Sequence, residues 1–332
     1  MKALVYTGPK GLEYREVADP VAGAGESLVR IESVGICGSD MHAYLGHDER
    51  RPAPLILGHE AAGTVVAGAG SGRRVTINPL VTCMSCEACR SGRENLCALR
   101  QIISMPPREG AFAQFVAIPE RNLVDVPDHV DFDRAALAEP LACGWHAVKS
   151  GERALDRPLS QARVLVLGAG AIGVGAGLAL AARGAGAIML SEPHAGRRAF
   201  AAERIGLDAR DPAEFSGEGA FDLVIDAVGF AATRAQASDT VRPGGVMVHI
   251  GLGSAEGGLN IRRMTLQEIT FIGTYTYTME DFRETAAAIF DGRLGALDWI
   301  GTMPLADGAQ AFGDLLAGRV SAPKIVLKPQ PV

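Results

Sequence analysis

Cys83, Cys86, Cys89 and Cys97 stand in one segment, CMSCEACRSGRENLC, with the spacing C-x2-C-x2-C-x7-C. Thiolates crowded this closely suit a tetrahedral zinc ion whose every position is filled by protein, a structural rather than a catalytic arrangement. Near-adjacent cysteines pair poorly as disulfides, so a disulfide framework does not explain them. An iron–sulfur cluster is the rival, since it too uses a C-x2-C-x2-C run, but the ferredoxin continuation C-x3-C-P is missing.

A second set of reactive residues is dispersed. Cys37 opens CGSDMH, His59 and Glu60 stand in GHEAAG, and Glu139 stands in EPLA. One thiolate, one imidazole and one or two carboxylates from separate segments match an open, catalytic zinc site. Zinc there would lower the pKa of a bound alcohol, so that hydride can pass to a nicotinamide. Ser39 is placed to carry the alcohol proton outward, and His42 to pass it to solvent. Asp40 is placed to hydrogen-bond the far nitrogen of His59 and fix its tautomer. Taken singly, such residues are usually packing or surface chemistry. They gain weight jointly, beside the four-cysteine loop and the motif that follows.

Gly168, Gly170 and Gly173 form G-x-G-x-x-G, with Ile172 inside it, between the apolar run RVLVL and an Ala/Leu-rich segment. The first glycine allows a tight turn, the second lets backbone approach a pyrophosphate, and the third lets helix and strand pack closely. The next apolar run ends at Ser191-Glu192. A carboxylate there accepts from ribose hydroxyls and repels a 2′-phosphate, which favours NAD over NADP. Arg197 and Arg198 lie close behind and partly offset that preference.

These residues need elements to hold them. Residues 2–35 alternate short apolar runs with Gly/Pro turns and read as β-rich, with further strands expected at 61–66, 74–77 and 112–118. Helical spacing begins near Asp133. From residue 162 strands and helices alternate. Strands expected at 163–167, 187–191, 222–226, 246–250 and 270–273 imply a parallel sheet covered on both faces. A helix over DFRETAAAIFDGR and a final strand, KIVLK, follow.

Bulk composition bounds the classes. The 332 residues suit two domains, and 48% hydrophobic with 21% charged residues reads as an ordinary globular protein. A net charge of −6 without a basic run argues against nucleic acid as a partner. No secretory signal and no membrane span are read, and cysteines placed as metal ligands fit a reducing cytoplasm.

CGSDMH, GHEAAG, the four-cysteine loop, EPLA and GAGAIG with its downstream acid together resemble the zinc-dependent medium-chain alcohol dehydrogenases, and within them the sorbitol (polyol) dehydrogenase branch. The resemblance runs along essentially the whole chain. It implies an α/β fold in which a Rossmann doubly wound parallel sheet, residues 144–274, is inserted into a β-rich GroES-like catalytic domain, residues 1–143 and 275–332. It implies Cys37, His59 and Glu60 as ligands of a catalytic zinc. Glu139 stands where liver-type alcohol dehydrogenases have a cysteine ligand, and would bind directly or through water. Cys83, Cys86, Cys89 and Cys97 carry over as structural zinc ligands, and Cys143 reads as a packing residue. Val228-Gly229 and His249-Ile250-Gly251 fall where family members line the nicotinamide and its ribose.

One departure concerns substrate. Polyol dehydrogenases often place an arginine after the last Rossmann strand, where this chain has Thr276. Tyr44, His47 and Arg51, between the two catalytic motifs, are the candidates for polar substrate contacts. The resemblance also implies a homodimer or homotetramer, using the edge strand near 270–273 and the structural-zinc lobe as contact surfaces. The expected activity is NAD-dependent oxidation of a secondary hydroxyl of a polyol or vicinal diol to a ketone. L-threonine 3-dehydrogenase and simple secondary-alcohol dehydrogenases share the ligand set and stay open. A zinc-ribbon nucleic-acid binder and a non-catalytic dinucleotide-binding protein are remoter alternatives.

Overall fold

The computed structural model describes residues 1–215 and 219–330. It divides into two compact units. The first comprises Met1–Glu139, Thr278–Asp291 and the stretch from Ile300 onward, and the second comprises Pro140–Tyr277 with Gly292–Trp299. The crossing points lie a few residues from the 143/144 and 274/275 boundaries expected above, and the short return over 292–299 had no signal in the sequence.

The first unit is built on a seven-stranded sheet. Its strands run in the order Leu123–Asp125, Arg74–Ile77, Glu60–Ala67, Glu26–Gly35, Lys324–Lys328 and Ile300–Pro304, with Phe115–Pro119 also paired to Glu26–Gly35. In Glu26–Gly35 the inward positions Ser27, Val29, Ile31 and Ser33 recur every second residue, as the pleat of a half-buried strand requires. Glu60–Ala67 is buried through its first four residues, which puts Glu60 inside rather than on the surface. The terminal strand Lys324–Lys328 slots antiparallel beside Glu26–Gly35, pairing Val326 with Gly35. A residue far along the chain thereby arrives next to Glu60. The core around these strands includes Leu4, Ile31, Leu57, Phe112 and Phe312, the last two packed edge to face at 5.9 Å.

The second unit holds six parallel strands in the order Ala209–Arg210, Ala187–Ser191, Arg163–Leu167, Phe221–Asp226, Val241–His249 and Thr270–Gly273. This is the doubly wound order, whose reversal falls between Arg163–Leu167 and Phe221–Asp226. The two central strands are almost wholly buried, so they read as continuous apolar runs rather than alternating ones. The helix Ala171–Ala182 follows the first strand and is buried over most of its circumference.

Six strands had no expectation in the sequence: the short Leu55–Ile56, Leu80–Val81, Gln101–Ile102 and Leu123–Asp125, together with Ala209–Arg210 and Ile300–Pro304. Ala209–Arg210 is too short to show a pattern, and Ile300–Pro304 carries a glycine and ends in a proline. The strand expected over 112–118 begins at Phe115, because Phe112 turns into the core. The helical stretch near Asp133 resolves into Phe132–Ala136, capped by the Asp131 carboxylate accepting from Arg134 N–H, and Ala138–Ala154. No helix among the described residues is long and apolar enough to cross a membrane.

Candidate active site and metal centres

The four loop cysteines converge. Their sulfurs all lie within 4.8 Å of one another, and among the described residues they form the one group of three or more potential ligands that does so. Cys83 and Cys89 Sγ are 3.8 Å apart, Cys97 and Cys83 3.6 Å, and Cys86 and Cys89 3.5 Å. Four sulfurs at about 2.3 Å from a tetrahedral zinc stand roughly 3.8 Å from each other, so the cage fits the ion. The thiols respond unequally to this crowding. Hydrogen bonds from Ser85 and Cys86 hold Cys83 down at about 5, while burial and the neighbouring sulfurs push Cys89 up to about 12. Four thiolates need a cation to coexist, and a bound divalent ion supplies it.

Local structure builds this cage. Cys86 is the N-cap of the short helix Glu87–Arg90, and Cys97 follows the turn Glu94–Leu96. Glu94 in that turn accepts from the Met279 N–H at the start of the helix Met279–Phe290. The loop is thus tied to the helix that reopens the first unit.

The dispersed set is arranged differently. Cys37 is the N-cap of the helix Gly38–Tyr44. Asp40, fully buried in that helix, accepts from Cys37 N–H at 2.9 Å and from Gly58 N–H at 3.1 Å. One carboxylate therefore clamps the two segments that carry Cys37 and His59. Gly58 makes the close approach possible. Its φ is +88°, and a Cβ there would sit 2.5 Å from the Phe112 ring.

His59 is buried, with Nε2 at 3.4 Å from Ser39 Oγ. Its Nδ1 lies 3.5 Å from Asp40 Oδ1 and 3.2 Å from Ser104 Oγ. Burial opposes charge on this imidazole, but Asp40 and Cys37 outweigh it and raise His59 well above its ordinary range. Asp40 is correspondingly held low by His59 and Arg51 despite its burial. The pocket is one that favours positive charge beside Cys37 and His59.

Glu60 extends one carboxylate oxygen to Lys324 Nζ at 2.6 Å, and that ammonium also donates to the Ile36 carbonyl at 2.9 Å. The other oxygen, Oε2, is buried without a hydrogen-bond partner. Leaving such an atom unpaired is costly, and a metal ion is the kind of group that would satisfy it. Burial works against the Lys324 charge, yet Glu60, Cys37 and Glu139 together raise its pKa. The ammonium therefore senses three of the four expected ligands. Glu139 itself is buried in the first turn of Ala138–Ala154. The donor set fits zinc. Its expected ligand atoms do not all converge as the loop cysteines do, and one Glu60 oxygen is bound to Lys324.

Other expectations meet specific placements. His42, on the same helix as Ser39 and one turn on, is exposed. His47 is exposed, and Tyr44 packs edge to face on Phe312 at 5.2 Å. Arg51 is not free for substrate, because it is buried with Nε donating to the Ser104 carbonyl and Nη1 to Asp48. Thr276 is half-buried at a positive φ, with its hydroxyl oxygen buried and unpartnered. Lys324 and Ser104 were missed. Neither has a motif around it, and only the sheet register and a fold of loop bring them to the ligands.

In the second unit the glycine motif sits at the carboxyl end of Arg163–Leu167. Gly170 is the N-cap of Ala171–Ala182 with open space where a Cβ would be, and a Cβ on Gly173 would meet the Gly168 carbonyl at 1.9 Å. That is the geometry for backbone approach to a pyrophosphate. Glu192 is buried, its carboxylate accepting from Ala169 N–H at 2.9 Å and His194 N–H at 3.0 Å. It stiffens the glycine turn and retains lone pairs for ribose hydroxyls. Arg198 is committed to the carbonyls of Glu192 and Pro193, whereas Arg197 is exposed. Val228 and Gly229 donate N–H to the buried Asp226 carboxylate, which also takes His249 Nδ1 at 3.1 Å. Ile250 donates to the Asp226 carbonyl.

Comparison with known proteins bears on this geometry. Residues 23–128 match the family model for the alcohol dehydrogenase GroES-like domain, and residues 171–291 match that for zinc-binding dehydrogenase. The chain is 34% identical to L-galactonate-5-dehydrogenase of Escherichia coli K12, over 89% of each chain. It is 32% identical to sorbitol dehydrogenase of Bacillus subtilis 168, over 83% of this chain and 82% of that one. The solved L-idonate 5-dehydrogenase of Escherichia coli superposes with a TM-score of 0.87 at 25% identity, covering 98% of this chain and 97% of that one. With its GroES-like and Rossmann units, its cysteine cage and its glycine motif, the chain belongs to the zinc-dependent medium-chain alcohol dehydrogenases, in their polyol dehydrogenase branch.

Proposed function

We propose that this protein oxidises a secondary hydroxyl of a polyol, or of a similarly hydroxylated sugar derivative, to a ketone with NAD as acceptor. The observation that carries the reading is the Glu60 Oε2 atom, buried without a hydrogen-bond partner on the residue that follows the buried His59. The names of the relatives, which act on galactonate, sorbitol and idonate, support polyhydroxy substrates.

When bound, zinc supplies the Lewis acid that acidifies a substrate hydroxyl, and the nicotinamide accepts hydride. Cys37, His59, Glu60 and Glu139 would hold the metal. Asp40 locks the Cys37 and His59 segments together and keeps charge beside the imidazole. Ser39 Oγ, beside His59 Nε2, takes the substrate proton, and His42 relays it from the exposed face of the same helix. Lys324 neutralises Glu60 and Glu139 in part, so that the site is not over-charged. A second zinc in the cysteine cage serves folding alone. Gly168, Gly170 and Gly173 hold the pyrophosphate, with Ile172 in the same turn, and Val228, Gly229 and Ile250 line the nicotinamide side. Glu192 supports NAD over NADP, and the exposed Arg197 is the residue that would moderate this.

Self-association follows from the same unit. Thr270–Gly273 is the unpaired edge of the six-stranded sheet, and Phe271 on it is 41% exposed near the exposed Leu252 and Ile261. An edge of this kind is suited to pairing with a second copy, giving a dimer, and a cytoplasmic setting agrees with free thiols at the cage. Sedimentation analysis of wild type and Phe271→Lys tests the dimer.

The activity is tested by NADH production across sugar alcohols, aldonates, vicinal diols, simple secondary alcohols and L-threonine, with and without chelator. Chelator-sensitive turnover of polyhydroxy compounds is expected. Turnover confined to L-threonine would move the reading to its dehydrogenase.

A further inference from the structure

Resting on the reading of His59 as a catalytic zinc ligand, we propose that Ser104 is a positioning residue for that ligand, held in place by the buried chain Asp48–Arg51–Ser104. Nothing in the motifs marks Ser104. It enters from a loop outside both ligand segments, with its hydroxyl 3.2 Å from His59 Nδ1. Asp40 Oδ1 is farther, at 3.5 Å, and already accepts from Gly58 N–H. Both groups face Nδ1, Asp40 as the charge partner and Ser104 at the shorter distance, within about 3.2 Å, the reach of a good N–H···O bond. An Nδ1–H directed to Ser104 leaves the Nε2 lone pair, on the side of Ser39, for metal.

The backbone of Ser104 is unusual for a serine. Its φ is +73°, and the residue is wholly buried. A left-handed conformation at a non-glycine residue persists where its surroundings impose it. Arg51 is the imposing group: Nε donates to the Ser104 carbonyl at 3.0 Å while Nη1 donates to Asp48 at 2.5 Å, and the residue is only 3% exposed. Asp48 and Arg51 belong to the loop between the two catalytic motifs, so this chain couples that loop to the tautomer of the ligand.

The test follows two observables in the intact enzyme. One is the rate at which the catalytic zinc passes to a chromogenic chelator, with the cage zinc as internal reference. The other is the Nδ1–H signal of His59 in protein labelled with 15N-histidine, assigned by its disappearance in His59→Ala. Ser104→Ala and Ser104→Gly both remove the hydroxyl, while glycine also relieves the backbone. The proposal predicts that both variants release catalytic zinc roughly tenfold faster, with cage zinc unchanged and the Nδ1–H signal lost or rapidly exchanging. Arg51→Met is expected to shift both observables in the same direction. Wild-type release and an intact Nδ1–H in Ser104→Gly would overturn it, since backbone conformation alone would then account for any effect of alanine. Retention of both zinc ions by His59→Ala would instead overturn the underlying ligand reading.

Discussion

The cysteine cage and the catalytic cluster both suit zinc, but they are built in opposite ways. The cage takes all its ligands from one loop, and its sulfurs are already at the spacing the ion requires. The proposed catalytic cluster would take its ligands from the start of one helix, the start of one strand and the start of another helix. There a competing cation, Lys324, holds part of the ligand set. A local site is closed and spends its metal on folding. A site assembled by tertiary structure can leave a position open and carry counter-ions that adjust its charge.

The largest effect should come from breaking the cage. Cys89→Ser is expected to leave about one zinc per chain and to destabilise the first unit severely, because structural zinc binding supplies on the order of 10 kcal/mol of folding free energy. Limited proteolysis should then cut within residues 83–97. By contrast His59→Ala should also lose one zinc and lower the melting temperature, because it removes the charge partner of the buried Asp40, yet it should keep the cage zinc, while turnover falls roughly 10³-fold, as the loss of several kcal/mol of Lewis-acid stabilisation implies.

Lys324→Met sharpens the contrast. Breaking a buried ion pair costs about 3–5 kcal/mol when the remaining charge is uncompensated, and Glu60 is such a charge. If zinc also neutralises Glu60, the penalty should be larger in chelator-treated protein than in zinc-loaded protein. Glu60→Gln in the Lys324→Met background should recover much of it. Equal penalties in the two forms, read from urea midpoints, would mean that Glu60 does not sense the metal.

The sequence carried the cage almost completely, because ligand spacing within one loop is itself the geometry. It carried the glycine turn for the same reason, since strand, turn and helix are contiguous around Gly168–Gly173. The catalytic cluster was legible only as a list of residues. Lys324 reaches Glu60 through antiparallel pairing of the last strand with Glu26–Gly35, a register no local pattern encodes. Arg51 shows the converse. Its position between the two motifs suggested a substrate contact, yet its burial against Ser104 and Asp48 makes it part of the scaffold. The strand Ile300–Pro304 was invisible because glycine and proline hide the pattern of a strand supported mainly by its neighbour Lys324–Lys328.

Two smaller effects test how far each site reaches. Glu94→Ala removes the acceptor for Met279 N–H and should cost about 1 kcal/mol, a drop of a few degrees in melting temperature with zinc content intact. Asp48 should give the smallest change. Burial pushes its carboxyl up, but Arg50 and Arg51 hold it at about 2. The folded value lies below the ordinary carboxylate value of about 3.9. Its contribution is therefore present above that value and is lost as pH falls through about 2. The stability difference between wild type and Asp48→Asn, on the order of 1 kcal/mol after solvent screening, should shrink steadily as pH is lowered from about 5 to about 3.

The most direct test of the two-site account is to count zinc per chain during mild chelation while following NADH formation from NAD and a polyol. The account predicts two zinc ions, one lost readily in step with activity and one retained with the fold. A single zinc, or loss of both together with unfolding before any loss of turnover, would contradict it.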